Sequence, residues 1–266
     1  MTLSWWQGLI LGLVQGFTEF LPISSSGHLV LAERIVGFEP QGLFFEVVVH
    51  VATLLSVFIA YRARIAALLR GMLSGDAQSL RFAGLILLAS VPAAVVGIAF
   101  KDFFERTFHS PVLLGWQFLL TAVLLWSTKY AMQRAPVESR PITPWRAFLI
   151  GAGQALAIIP GISRSGTTIA VALWTGVKPV VAAEFSFLMS IVVIAGSGVL
   201  QLREVPPGFD PFSPGMVLAF LGALIAGVVA IRFLVALLKS SRFHSFAPYC
   251  AVVGIFCLVW FGLLGR

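Results

Sequence analysis

The sequence predicts an all-α integral membrane protein of two inverted-topology repeats, each a broken, re-entrant helical hairpin followed by three transmembrane helices. Three observations carry that expectation. The chain is 59% hydrophobic and 11% charged, with a mean hydropathy of +0.97, well outside the composition of a soluble domain. Six uninterrupted apolar stretches run Leu43 to Tyr61, Phe82 to Phe100, Val112 to Thr128, Pro179 to Leu200, Met216 to Leu238 and Phe246 to Leu264, each close to the roughly 20 residues a bilayer requires. Two more, Ser4 to Val36 and Trp145 to Val177, are broken near their middles by LPISSSG (Leu21 to Gly27) and IPGISRSG (Ile159 to Gly166).

The broken stretches open the two halves. Pro, Gly and serines end a helix, and the pieces they leave, about 15 residues each, are short for a span. Irregular backbone at that depth must be buried in protein or line a cavity, so each pair reads as a hairpin with its tip inside the membrane. Ile23 to Gly27 aligns with Ile162 to Gly166 at an offset of 139, and Glu46 and Glu184 follow at an offset of 138 at the start of the next span. The chain therefore reads as one membrane domain, 1–266, with repeat one at 1–130, repeat two at 145–266 and a cytoplasmic linker at 129–146. Three crossings per half, an odd number, invert the second repeat relative to the first.

Loop charge supplies the orientation. This topology puts eleven basic residues (Arg62, Arg64, Arg70, Arg81, Lys129, Arg134, Arg140, Arg146, Lys178, Lys239 and Arg242) on one side and five on the other. The positive-inside rule makes the first side cytoplasmic, with both termini and the mouth of the first hairpin outside. Orientation in the bilayer accounts for the formal charge of +7 better than a nucleic-acid partner does. The N-terminal stretch has no basic n-region and is read as part of the fold instead of a signal peptide. Cys250 and Cys257 are seven apart, about 10 Å along one helix, so no disulfide is expected between them.

The polar residues concentrate at the two breaks. Gln15 and Glu19 share one face of a helix, and Ser25 and His28 share another. Ser24 or Ser25 is a natural N-cap for the helix after the first break, and Ser163 for the helix after the second. Both tips then aim helix N-termini at one region, which makes an anion site. Arg164 adds a fixed positive charge, and a membrane arginine costs about 2.5 to 3.5 kcal/mol on insertion scales unless paired. A phosphate suits it. Each residue also has a plainer reading: Ser24, Ser26, Ser165 and Gly166 as caps or packing residues, Glu19 as a structural partner of Arg164, His28 as an interfacial histidine. Glu46 and Glu184, near span ends, support the site at best, and Glu33 and Arg34 mark the outer interface.

QGFTEFLPISSSGH (Gln15 to His28), SVPAAVVG (Ser90 to Gly97), PGISRSGTTI (Pro160 to Ile169) and EFSFLMS (Glu184 to Ser190) resemble the bacterial undecaprenyl-diphosphate phosphatase family of the bacitracin-resistance type. The resemblance runs from the first residues to the last span. In that family the first motif has Glu or Gln, three residues, then Glu, which Gln15 and Glu19 satisfy; members often have proline where this chain has Val192. The resemblance implies hydrolysis of undecaprenyl diphosphate to undecaprenyl phosphate, recycling the lipid carrier for peptidoglycan in the bacterial inner membrane, with an outward-facing site. The motifs also resemble the PSGH and SR-x5-H elements of type 2 phosphatidic acid phosphatases, but Ala170 stands where the second histidine is needed and the preceding Lys-x6-Arg-Pro element is absent.

On that reading Ser25, Glu19, His28 and Arg164 form the catalytic group. Gln15, Ser24, Ser26, Gly27, Ser163, Ser165 and Gly166 line the diphosphate site. Ser25 attacks the terminal phosphorus with Glu19 or His28 as base, Arg164 neutralises charge, and His28 protonates the leaving phosphate or activates water. The sequence leaves Ser25 and His28 both open as nucleophile. Glu19 with substrate oxygens would suit Mg²⁺ or Ca²⁺, and a homodimer stays open. A different class, a polyprenyl-phosphate flippase or anion transporter, would use the same clamp without cleavage.

Overall fold

The computed structural model describes residues 3–40, 44–100, 111–134, 140–201 and 210–263, which are helical with short connections. In chain order the helices are α1 (Trp5–Phe20), α2 (Ser25–Val36), α3 (Phe44–Ala60), α4 (Arg62–Leu73), α5 (Ala77–Ala99), α6 (Pro111–Gln133), α7 (Pro144–Leu156), α8 (Arg164–Trp174), α9 (Pro179–Gln201), α10 (Pro214–Lys239) and α11 (Ala247–Cys257), the last preceded by a 3-10 turn and extended by a π turn. Five of these helical segments are long and apolar enough to cross a membrane, and α3 with α4 makes a sixth candidate, bent by 78°. The bend falls at Tyr61, where the apolar α3 gives way to the arginine-bearing α4. Part of the linker between the halves, 135–139, lies outside the described residues.

Local chemistry sets the helix starts. Ser4 and Gln7 close a capping box on α1, Asp76 caps α5, and Thr143 with Pro144 opens α7. Hydrogen bonds from Ser79 hold the exposed Asp76 carboxyl below the usual carboxylate range.

The expected hairpins are present and re-entrant. Their arms have 16 and 12 residues in the first and 13 and 11 in the second, at most about 24 Å of rise against a core of about 30 Å. Gln7 Nε2 donates to the Val36 carbonyl at 2.9 Å, so the end of α2 returns to the start of α1. In the second hairpin Arg140 N donates to the Gly176 carbonyl at 3.2 Å, which returns the chain beyond α8 to the approach of α7.

Helix registers show the inversion. Gly8, Gly12 and Gly16 of α1 lie against Gly215, Ala219 and Ala223 of α10, a constant offset, so these helices run parallel. The equivalent pair, α7 on α5, is also parallel: Gly151 meets Ala89 and Ile158 meets Gly97. The third spans of the two halves, α6 and α11, pack against each other antiparallel, with Gly115 against Leu258 and Leu119 against Gly254. Equivalent helices running in opposite directions across their contact are what an inverted repeat requires. Small residues let the backbones touch, the usual basis of helix association in lipid.

A Cβ on Gly12 would collide with the Ala219 backbone, whereas one on Gly84 meets nothing within 4 Å. Gly12→Val is therefore expected to destabilise the detergent-solubilised protein by roughly 1–3 kcal/mol and Gly84→Ala to leave it unchanged. Thermal unfolding of the two variants checks this contrast.

Candidate active site

The two hairpin tips are built alike. Ser24 caps α2 by accepting from Gly27 N at 3.4 Å, and Ser163 caps α8 by accepting from Gly166 N at 3.0 Å. In each tip the serine two residues on lies beside the cap hydroxyl, Ser26 at 3.4 Å and Ser165 at 3.3 Å. The tips then meet. Ser165 Oγ donates to the Leu21 carbonyl at 3.2 Å, and a Cβ on Gly27 would stand 3.3 Å from Gly161 Cα. Thr121 of α6 pins the second tip: its hydroxyl donates to the Gly161 carbonyl at 3.0 Å and accepts from Ser163 N at 3.2 Å. Gly161, at φ +83°, has the left-handed backbone that glycine adopts without strain; Ser24, at φ +71°, adopts it as a non-glycine.

Glu19 is the centre of the polar cluster. Its Oε2 accepts from Ser25 Oγ at 2.6 Å and from Gln15 Nε2 at 3.0 Å, while Oε1 pairs with Arg164 Nη2 from the other hairpin. Two polar atoms of the cluster, Arg164 Nη1 and Gln15 Oε1, are buried without a protein partner. A guanidinium nitrogen left open beside a serine hydroxyl on a carboxylate is the arrangement an anionic substrate completes. Among the residues expected at the site, the hydroxyls of Ser24, Ser163 and Ser165 serve the caps and the contact between tips, so their contribution to a bound anion is mainly positional.

His28 stands apart from this carboxylate. Its Nδ1 lies 2.8 Å from the Ser24 carbonyl, its Nε2 lies 2.7 Å from Tyr249 Oη, and its ring stacks on Tyr249 and stands perpendicular to that of Phe118. His50 of α3 occupies the position beside Glu19 instead, its Nε2 3.7 Å from Oε2. The sequence did carry a signal for His50: an ionisable residue inside an apolar span is functional by default. Tyr249 and Thr121 had no such signal, because a tyrosine or threonine in a span is ordinary. Arg34 is exposed, over the Phe261 ring, but Glu33 is buried with one carboxylate oxygen unpartnered. Glu184 pairs with Arg64 at 2.7 Å.

The donor set does not fit a cation held by protein alone. Glu19 has both oxygens engaged, and among the described residues no three His, Cys, Asp or Glu side chains gather as a metal site would require.

The profile of the family described as Bacitracin resistance protein BacA matches residues 8–256. The chain belongs to the BacA family. Among relatives named undecaprenyl-diphosphatase, one from Desulfosudis oleivorans is 39% identical over 271 residues, covering 97% of this chain and 98% of the relative. One from Korarchaeum cryptofilum is 39% identical over 259 residues, with 94% and 96% covered, and one from Bacteroides fragilis is 38% identical over 264 residues, with 97% and 98% covered. The BacA match contains both hairpin tips, so the family pattern and the convergence of the tips concern the same residues.

In this BacA chain, Thr121→Val removes both hydrogen bonds that hold the second tip and leaves a buried carbonyl and N–H unpaired. A loss of about 1–3 kcal/mol in stability is expected, with Thr121→Ser close to the parent in thermal unfolding.

Proposed function

We propose that this BacA-family chain hydrolyses undecaprenyl diphosphate to undecaprenyl phosphate and inorganic phosphate, recycling the lipid carrier for peptidoglycan synthesis and so conferring bacitracin resistance. The near full-length similarity to relatives named undecaprenyl-diphosphatase supports the substrate and the reaction. The observation that carries the mechanism is the serine on a carboxylate that an arginine from the opposite hairpin also holds. Arg164 is paired with Glu19. A diphosphate offers it a competing anion and fills the open Nη1.

As Arg164 turns to the phosphate, Glu19 loses its counter-charge and becomes the better base for Ser25, the group it already holds at 2.6 Å. Ser25 Oγ attacks the terminal phosphorus and its proton passes to Glu19. The Oγ–P bond forms, the bridging P–O bond breaks, and undecaprenyl phosphate leaves as an anion. Water then cleaves the phosphoserine, restoring the serine hydroxyl and releasing phosphate. Phosphoryl transfer needs chiefly positioning and charge neutralisation, which the capped N-termini of α2 and α8 and Arg164 supply. Ser25 is favoured over His28 as nucleophile because both ring nitrogens of His28 are engaged, one on a carbonyl. His28 instead steadies Ser24, the strained residue before the nucleophile. A divalent cation chelated by the diphosphate would arrive as part of the substrate.

A carrier of polyprenyl phosphate needs the clamp but has no use for a hydroxyl on a carboxylate, so the geometry favours the enzyme. The site lies in the bacterial inner membrane with the first hairpin open to the outside, a reading that rests on the loop charges.

Purified protein in detergent is expected to release phosphate from a long-chain prenyl diphosphate. Ser25→Ala and Arg164→Ala should each lower kcat/KM by about 10³-fold or more, and acid-quenched phosphate should be found on Ser25. Full activity in Arg164→Ala, or label on His28, would overturn these roles. For orientation, a single cysteine at Gly37 should react with an impermeant maleimide added to intact cells, and one at Arg70 only after lysis.

A further inference from the structure

We propose that His50 is the proton acceptor behind Glu19, relaying the proton that Ser25 gives up and passing it out of the site. This inference rests on the phosphatase reading and adds a residue to its machinery. His50 Nδ1 lies 2.7 Å from the carbonyl oxygen of Glu46, one turn earlier on α3. A carbonyl only accepts, so Nδ1 carries the ring proton of the neutral histidine and Nε2 presents its lone pair. That lone pair stands 3.7 Å from Glu19 Oε2, the same oxygen that takes the Ser25 hydroxyl. The tautomer is therefore set for receiving a proton from Glu19, and a shift of under about 1 Å brings the pair within hydrogen-bond reach.

Burial makes a relay necessary. The Glu19 side chain is 4% exposed and that of Arg164 18%, whereas that of His50 is 33% exposed. A proton left on Glu19 would neutralise the base within a site that has little access to solvent. Passing it to His50 restores the carboxylate in time for the attack of water on the phosphoserine.

The proton balance closes on this route. Transfer of the phosphoryl group to Ser25 liberates one proton, which moves from Oγ to Glu19 and then to His50 Nε2. Hydrolysis of the phosphoserine consumes water and needs no further net proton acceptor, because one hydrogen of water goes to Ser25 Oγ and the other stays on the released phosphate. His50 then discharges its proton to the departing lipid phosphate or to water.

Acidic groups surround the ring. Glu19 faces it from α1, and Glu46 on its own helix interacts with it electrostatically. Glu33 of α2 lies beyond, within electrostatic range of Glu46. Arg164 is held on the far oxygen of Glu19. His28, the histidine of the first tip, has no comparable path to this carboxylate.

The test is phosphate release by His50→Gln and His50→Ala, each purified in detergent, against wild type and Ser25→Ala. The relay predicts a fall in kcat of about 10²-fold with KM nearly unchanged, loss of the acid limb of the wild-type pH profile, and partial recovery of His50→Ala by added imidazole. Wild-type kcat in His50→Gln overturns the proposal, as does a loss that leaves the pH profile unmoved and that imidazole does not restore. Neither result touches the phosphatase reading, which fails only if wild type releases no phosphate; full activity in Ser25→Ala would overturn the nucleophile role of Ser25 and the relay with it.

Discussion

A guanidinium placed among membrane helices needs an anion, and Arg164 of one hairpin finds it in Glu19 of the other. Left unpaired, such a charge costs several kcal/mol, so this contact ties the two halves together at their tips and makes each half dependent on the other. The same dependence makes the site responsive. A phosphate is a better bidentate partner for arginine than a carboxylate already shared with Ser25 and Gln15, so in the proposed mechanism substrate binding and activation of the base become one event.

The surrounding structure serves to bring those two residues together. Hairpin arms too short to cross place the tips at membrane depth. Each tip's own capping serine, the Ser165 contact to the Leu21 carbonyl and Thr121 satisfy the broken backbone. The glycine stripe of α1 on α10 and Gly151 on α5 bring the helix backbones into contact, and the position of Glu19, at the end of α1, follows from that packing. Even Ser24, strained at positive φ, has a purpose: it turns the chain so that Ser25 opens α2 with its hydroxyl on Glu19.

The repeats share a backbone plan and divide the chemistry. At the offset of 139, Ser25 corresponds to Arg164, Glu19 to Ile158 and Gln15 to Gln154. Gln154 is buried with neither amide atom partnered, because no carboxylate stands one turn on to receive it. The second repeat therefore keeps the scaffold of the first without its acid and base. In the proposed mechanism one active site results, with nucleophile and base from one half and the cation from the other.

The sequence by itself determined the all-α membrane class, the two broken stretches, their equivalence, and the inversion that an odd number of crossings demands. These follow from hydropathy, from helix-breaking residues and from parity, all of which are local or countable. It also marked Glu19, Ser25 and Arg164, because polar groups in an apolar chain announce themselves. Only the tertiary structure decided which histidine meets the carboxylate. His28 is close to Ser25 along the chain, yet the rotation of α2 turns it onto Tyr249, while His50, 31 residues from Glu19, reaches it from α3. Adjacency in sequence fixes the helix a residue belongs to; the packing of that helix against its neighbours fixes what the side chain touches.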